Sequence, residues 1–457
     1  MRLLIIASLS GVVLCAQAAL GVAPIATVGA YYFEGWYHDT PQAVAAFANA
    51  ELRNEFPERE PIWGGGLWRG DTVQIMEQQI DLAADHGISF FNFHWYWYGS
   101  PSVTMNDGIN SGLANFMQAS NRDRMKFNIN IVDVAPTAIA SDTEWEQVAD
   151  MLMPYLADSQ YLRVGGNPLV TIFNSDGMTQ RNYAYFQLVA ASSGIEEIEF
   201  AANVAGVTSR YTHVTHHSAV PGWGAGEVEY PYQSLTEYVE GNDTWSAGVW
   251  NTEIDSTQSY IPMIMAGFDA RPWNTPPTWY FNPTRTPHAV GRHLQNAVDW
   301  IDDHPQHASD ERLVMIYSWN EFGEGGYIVP TIGDPDGLYL DAIQSVLIPE
   351  PSIVPGDANR DGLVNVSDLG VVGANFNRHH MRWGSGDFNQ DHVTDVADLG
   401  ILGANWTGSG HGISIFESSH AVPEPAALFC LIAGVLNYGL RRRSFPRMVP
   451  SQPGHAA

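Results

Sequence analysis

Across residues 24 to 348 the chain alternates two kinds of segment. Short runs of almost unbroken apolar character recur: "ATVGAYYF", "GISFFNFHW", "KFNINIVDV", "PLVTIFN", "IEFAANV", "YIPMIMAGFD" and "RLVMIYSWNE". They are rich in β-branched and aromatic residues, and several are separated by amphipathic stretches. In one of these, 289–302, Val290, Leu294, Ala297, Val298 and Ile301 fall on one helical face. Apolar strands that do not alternate with polar positions are buried on both sides, as in a parallel sheet covered by helices. The number and spacing of these units predict an α/β fold, a (β/α)8 TIM barrel, more readily than an open sheet. No Gly-x-Gly-x-x-Gly turn follows the first run, which argues against dinucleotide binding.

The pattern changes at "LIPEPSIVPGD", where Pro349, Pro351 and Pro355 mark a stiff linker over 349–355. Beyond it, "GDANRDGLVNVSDLGVVGANF" (356–376) recurs as "GDFNQDHVTDVADLGILGANW" (386–406). Each copy has the oxygen-ligand spacing of a calcium loop. The first offers Asp357, Asn359, Asp361, the Leu363 carbonyl, Asn365 and Asp368; the second offers Asp387, Asn389, Asp391, the Val393 carbonyl, Asp395 and Asp398. Each loop leads into a short helix whose apolar residues (Leu369, Val371, Val372; Leu399, Ile401, Leu402) are expected to pair. His392 stands at the sharp-turn position that Gly362 fills in the first copy, so a weaker or strained second site is expected. The duplicated loop and helix, with Asp closing each loop, resembles a type I dockerin. That resemblance implies a small all-α module over 356–408, structural Ca2+ and a cohesin-like protein partner.

Both ends read as sorting signals. Arg2, the apolar run after it and Ala16-Gln17-Ala18 make a secretory signal peptide over 1–18. Near the other end, 422–443 carries Val422, Pro423, Glu424 and Pro425, an apolar stretch and Arg441 to Arg443. This resembles the PEP-CTERM tail of Gram-negative bacteria. It implies export, with the tail transiently or permanently in the membrane and the protein secreted or anchored at the cell surface. The two cysteines, Cys15 and Cys430, lie in these terminal segments, so the body has no disulfide. A formal net charge of −29 excludes nucleic acid as a partner. Fifteen Trp and nineteen Tyr point toward carbohydrate, whose rings stack on aromatic faces, although core filling uses the same residues.

In a barrel, chemistry sits where the strands end. Those ends offer Tyr31, Tyr32, Glu34 and Trp36; Asn92, His94, Trp95 and Trp97; Asp133; Asn174 and Asp176; Asn203; Asp269 with Arg271; and Trp319, Asn320, Glu321 and Glu324. This polar and aromatic ring suits a sugar-binding mouth. His94 reads equally as a wall histidine, and Asp269 with Arg271 equally as a structural pair. Glu321 and Glu324 would point to opposite faces of a continued strand. Gly323, Gly325 and Gly326 allow a turn that brings both carboxylates to one pocket. Two acids in different surroundings supply the acid and base of glycoside cleavage, yet two acids in a glycine loop are also often simply solvated.

"YSWNEFGEGGYIVPT" (317–331) resembles the W-N-E-W-x-E-G motif of glycoside hydrolase family 99, the endo-α-mannosidases, and of the related WbsX-type proteins. "GAYYFEGWY" (29–37) and "MIMAGFDARPW" (263–273) fit the same group. The resemblance implies a retaining, endo-acting hydrolase of an α-mannan-like or other complex polysaccharide, working without a metal through a 1,2-anhydro sugar. It assigns Glu324 as general acid/base and Glu321 as the carboxylate that assists the substrate's 2-hydroxyl. Phe322 and Gly323 depart from the motif, which bears on the substrate. Two other classes stand beside this one. A WbsX-type glycosyltransferase is disfavoured by export away from nucleotide sugars, and a non-catalytic carbohydrate-binding surface protein would keep the aromatic mouth.

Overall fold

The computed structural model describes residues 24–36, 50–63, 68–106, 108–203, 210–221, 228–241, 248–252, 258–273, 279–281, 284–348, 354–359, 363–379 and 381–407. The expected signal peptide, the 422–443 tail and Asp361 of the first expected calcium loop lie outside them. Among the described residues, no helix is long and apolar enough to cross a membrane. The chain divides into two compact units, Met1–Pro349 and Glu350–Ala457.

In the first unit eight strands follow the apolar runs: β1 (Thr27–Tyr32), β2 (Ile88–Tyr96), β3 (Lys126–Val132), β4 (Asn167–Ile172), β5 (Glu199–Ala202), β6 (His213–Val214), β7 and β8 (Leu313–Tyr317). β7 comes in two pieces, Ser259–Tyr260 and Met263–Met265. Every neighbouring pair in the ring is parallel. Pro262 interrupts β7 because proline has no N–H to give to a ladder. The two pieces face different neighbours: Ile261 N donates to Val214 O (2.8 Å) on β6, and Met315 N of β8 donates to Pro262 O (2.9 Å). One extended segment therefore joins the two ends of the sheet, and the eight strands form a closed (β/α)8 barrel.

Helices cover the outside: α1 (Val73–Asp85), α2 (Ser111–Gln118), α3 (Asp142–Leu156), α4 (Gln180–Ser192), α5 (Tyr232–Glu240), α6 (Pro287–Asp303) and α7 (Leu338–Leu347). Side-chain hydroxyls of Thr72, Ser141, Thr179 and Thr286 cap α1, α3, α4 and α6, satisfying amides that have no partner within the helix. On α6 the five residues of the expected apolar face are all buried.

Strand alternation sorts the interior from the shell. Gly29 of β1 lies beside Phe90 of β2, whose ring fills the place where a Cβ would stand, at 2.1 Å. Above this layer Asn92 and Asn128 both donate to Thr171 Oγ1 (3.1 and 3.3 Å). Higher still come Tyr31 and His94. Their chain neighbours face the helices: Tyr32 packs on Phe91 and Phe93, and its hydroxyl accepts from Gln79 of α1.

In the second unit, α8 (Val366–Asn375) and α9 (Val396–Ala404) follow the two Asp-rich loops. Val372 and Leu402 are buried with Ala358, Val364 and Phe388, and Leu369, Val371, Leu399 and Ile401 pack against them. Where both loops are described, their closing aspartates bond alike. Asp368 Oδ1 accepts from Ala358 N and Asn359 N (2.8 and 3.1 Å), and Asp398 Oδ1 from Phe388 N and Asn389 N (2.7 and 3.2 Å). His392 sits at φ +66°.

Candidate active site

β8 runs into a hairpin. Asn320–Glu321 pairs antiparallel with Gly326–Tyr327, and a single 3-10 turn, Phe322–Glu324, lies between them. Gly325 closes the turn at φ +67°, a left-handed conformation that costs a glycine little. Gly326 is required for space, since a Cβ there would stand 2.4 Å from the Tyr317 ring. Ser318 fixes the base of the hairpin: its hydroxyl donates to Gly326 O (2.6 Å) and accepts from Glu321 N (2.8 Å).

The two acids meet different surroundings. Tyr317 donates its hydroxyl to Glu324 Oε2. Glu321 is 5% exposed, and its carboxylate accepts no hydrogen bond from the described residues. It lies instead beside His94 and His217: the three ligand atoms are all within 4.8 Å of one another. His94 Nε2 and His217 Nε2 share a hydrogen bond of 2.7 Å. Tyr31 stands edge-on to both rings, at 5.6 and 5.0 Å. Phe173 and Tyr317 hold His217 from two other sides, at 4.9 and 5.1 Å.

Burial sets the proton affinities here. It pushes Glu321 well above the usual carboxylate range, and the neighbouring Glu324 pushes it further. Burial also raises Glu324, but the Tyr317 hydroxyl favours its charged form and tempers the rise. Burial lowers His94 to about 3 and His217 well below its usual value, so both imidazoles are neutral near pH 7.

Of the residues expected in the mouth, Tyr31, His94, Glu321 and Glu324 come together. Others support them from behind. Asn320 clamps Phe33, accepting from its N–H and donating to its carbonyl (both 2.8 Å), while Trp36 Nε1 donates to Asn320 O (2.8 Å). Trp319 Nε1 donates to Gln79 Oε1 (2.6 Å), the same glutamine that reaches Tyr32. Trp95 shares the helix-facing side of β2 with Phe91 and Phe93, and Trp97 is buried 6.4 Å from it. Asp133 is occupied by its own loop, accepting from Ile139 N (2.6 Å). Asn174 is exposed, as is Asp176. Glu34 caps α2, accepting from Gly112 N and Leu113 N (2.9 and 3.2 Å).

Asp269 and Arg271 belong to a brace. Arg271 grips Asp269 through Nε and Nη2 (both 2.7 Å), and Arg59 Nη2 donates to the same carboxylate. Burial would raise Asp269, but Arg271 and Arg59 outweigh it and hold the acid below its usual value. Arg59 Nη1 also donates to Phe322 O (3.1 Å), and Asp269 N donates to Glu324 O (2.5 Å). The end of β7 is thus tied directly to the glutamate hairpin.

Arg59, His217 and Tyr317 were not among the residues expected from sequence. Tyr317 lies inside the motif itself, one place before the stretch that holds the acids. His217 belongs to "VTHHS", which follows a strand of two residues. Arg59 had one signal, its rarity: the chain holds 21 Lys and Arg against 50 acids.

A family model described as "Glycosyltransferase WbsX" matches residues 64–343. No curated protein matches this chain. Solved structures similar to it include a "glycoside hydrolase-like protein" at 16% identity and TM-score 0.47, covering 71% of this chain and 94% of that one. The GH99 endo-α-mannosidase from Bacteroides thetaiotaomicron is similar at 14% identity and TM-score 0.44, over 71% of this chain and 97% of that one.

Proposed function

The chain belongs to the family described as Glycosyltransferase WbsX, and from that premise we propose that its barrel is a retaining glycoside hydrolase. The observation that carries this reading is the unequal glutamate pair. Glu324 is raised in proton affinity and held by Tyr317, whereas Glu321 is buried with a carboxylate that accepts no hydrogen bond from the described residues. Two neighbouring carboxylates whose surroundings set their proton affinities apart are the equipment of glycosidic cleavage. Without substrate Glu321 holds its proton the more tightly, so the roles below follow the motif and need a bound sugar to favour the ionised Glu321.

Following the resemblance of the motif, Glu324 gives its proton to the glycosidic oxygen as the bond from C1 to that oxygen breaks. Glu321 takes the proton of the sugar's 2-hydroxyl while O2 closes on C1 to form a 1,2-anhydro sugar. In the second half the C1–O2 bond breaks as water attacks C1; Glu324, now ionised, takes that water's proton, and Glu321 returns its proton to O2. The substrate is an exported or environmental polysaccharide, α-mannan-like or otherwise complex, and cleavage is internal. The second unit carries structural Ca2+ in its two loops, with Asp357, Asn359, Asn365, Asp368, Asp387, Asn389, Asp391, Asp395 and Asp398 as ligands together with Asp361. Secretion through the N-terminal signal would bring the enzyme to such a substrate.

The family's description favours a second reading, transfer from an activated sugar donor. The sequence does contain one Asp-x-Asp pair, Asp334 and Asp336. Asp334 is already committed to α7, accepting from Leu338 N (2.9 Å) and Tyr339 N (3.2 Å). Incubation with a panel of purified polysaccharides, followed by assay for new reducing ends, separates the readings. Hydrolysis should fall by about 10²–10⁴-fold in Glu324→Gln and comparably in Glu321→Gln. Near-native turnover by both variants, or product only when a nucleotide sugar is supplied, overturns the proposal.

A further inference from the structure

We infer that the inner end of the mouth is a binding site for one transition-metal cation of the zinc class, held by His94, His217 and Glu321. The three donor atoms lie within 4.8 Å of one another. Each comes from a fixed place in the barrel: His94 from inside β2, His217 from just beyond β6, and Glu321 from the hairpin after β8. Two imidazoles and a carboxylate form a donor set zinc uses where it keeps a fourth position for water.

The two histidines point the same nitrogen at each other, 2.7 Å apart. Two neutral rings in that arrangement can share only one proton, so one lone pair already faces the cluster. A tetrahedral zinc with bonds of about 2.0–2.1 Å holds its donors roughly 3.3 Å apart. The pair need open by only about half an ångström to replace the shared proton with a metal. Ring contacts from Tyr31, Phe173 and Tyr317 fix the imidazole planes while leaving these nitrogens directed inward.

Glu321 supplies the independent observation. It is 95% buried by its 5% exposure, and no described residue donates a hydrogen bond to its carboxylate. A carboxyl group so largely buried, beside two imidazole nitrogens, is a placement that a cation would favour. The same oxygen atoms are those proposed above to receive the sugar's hydroxyl proton. On that reading, a bound cation withholds Glu321 from the reaction, and Zn2+ inhibits in competition with substrate.

The test reads metal binding directly and needs no turnover. Full-length protein is stripped with a chelator, supplied with excess Ca2+ to fill the Asp-rich loops, and titrated with Co2+. One equivalent should produce the visible bands of a four-coordinate Co2+ site, and Zn2+ should erase them. His217→Gln and Glu321→Gln should each weaken Co2+ binding by at least about ten-fold, while His288→Gln on α6 should leave it unchanged. Glu321→Gln preserves side-chain shape, so it decides the matter if His217→Gln does not fold. Absence of four-coordinate bands, or their persistence in Glu321→Gln, overturns the inference. A protein that binds Co2+ without cleaving any glycan would leave this site standing and sink the hydrolase reading alone.

Discussion

Single residues decide what the glutamate pair can do. The Tyr317 hydroxyl stabilises ionised Glu324 and so lowers its proton affinity. Tyr317→Phe removes that hydrogen bond, so Glu324 should hold its proton to higher pH. If Glu324 is the acid, the alkaline limb of the rate profile moves upward in the variant while the maximal rate falls; an unmoved limb contradicts the assignment. Gly323 carries a second test. A Cβ there would stand 2.4 Å from the Trp273 ring, and an indole is rigid. Gly323→Ala should displace Trp273 and cost about 1–3 kcal/mol, read as a lower midpoint in urea and a change in the preferred polysaccharide. The motif made both glutamates legible, since glycines after a strand announce a turn. It did not make the facing of the aromatics legible. Tyr31 and Tyr32 are adjacent, aromatic and both buried, so in a strand covered on both sides nothing in the pattern tells the inward residue from the outward one.

Elements position those residues, and here the chain's scarce cations matter. Arg59, from the segment between β1 and α1, binds Asp269 at the end of β7 and the Phe322 carbonyl in the hairpin. Arg59→Met leaves Asp269 with Arg271 alone, and Asp269→Ala takes from buried Arg59 its closest carboxylate, leaving the Phe322 carbonyl and the more distant, exposed Glu58 (3.8 Å). Removing one side of such a pair typically costs about 3–5 kcal/mol. Asp269→Ala should therefore lower stability and reduce turnover together, though Asp269 need not touch substrate; a stable variant with altered substrate affinity alone would place it in the binding surface instead. A second contact joins the barrel's outer helices. His86, at the end of α1, meets Asp341 of α7 (3.4 Å), and its ring also bonds the Leu82 carbonyl (2.6 Å). Burial lowers its proton affinity, but Asp341 and that carbonyl outweigh burial and the net shift is upward. The stabilisation is thus complete below the unfolded value, near pH 6.5, and is lost as pH rises through the higher folded value. His86→Ala should flatten that part of the stability–pH curve. Seven of the eight strands were legible as apolar runs, because each is long or flanked by clear breaks. β6 has two residues, too few for any periodicity, and with it His217 went unseen.

At the scale of the whole molecule, the proposed calcium sites answer a demand that charge makes on one acidic chain. With 50 acids and 21 Lys and Arg, most carboxylates have no cation to pair with, and self-repulsion opposes compaction. Monovalent salt shortens the screening length from about 30 Å at 0.01 M to about 10 Å at 0.1 M. The melting temperature should therefore rise with NaCl across that range; a flat or falling curve would mean that local pairs, not the overall field, govern stability. The second unit concentrates the same repulsion. Asp387, Asp391, Asp395 and Asp398 share one loop, and backbone amides answer only part of their charge. Burial, followed by Asp398 and Asp391, drives Asp387 above its usual value despite the amide of His392. A bound divalent ion would cancel this repulsion, whereas monovalent salt only screens it. Chelation should therefore lower a calorimetric transition belonging to the second unit by far more than NaCl can restore, while polysaccharide cleavage by the barrel persists. His392 refines the test, because a side chain at φ +66° is strained where glycine would not be. His392→Gly should tighten Ca2+ binding in the second loop and bring its affinity toward that of the first, measured by calorimetric titration. If chelation leaves that transition unmoved, the Asp-rich loops are held by their own amides and the metal has no structural role.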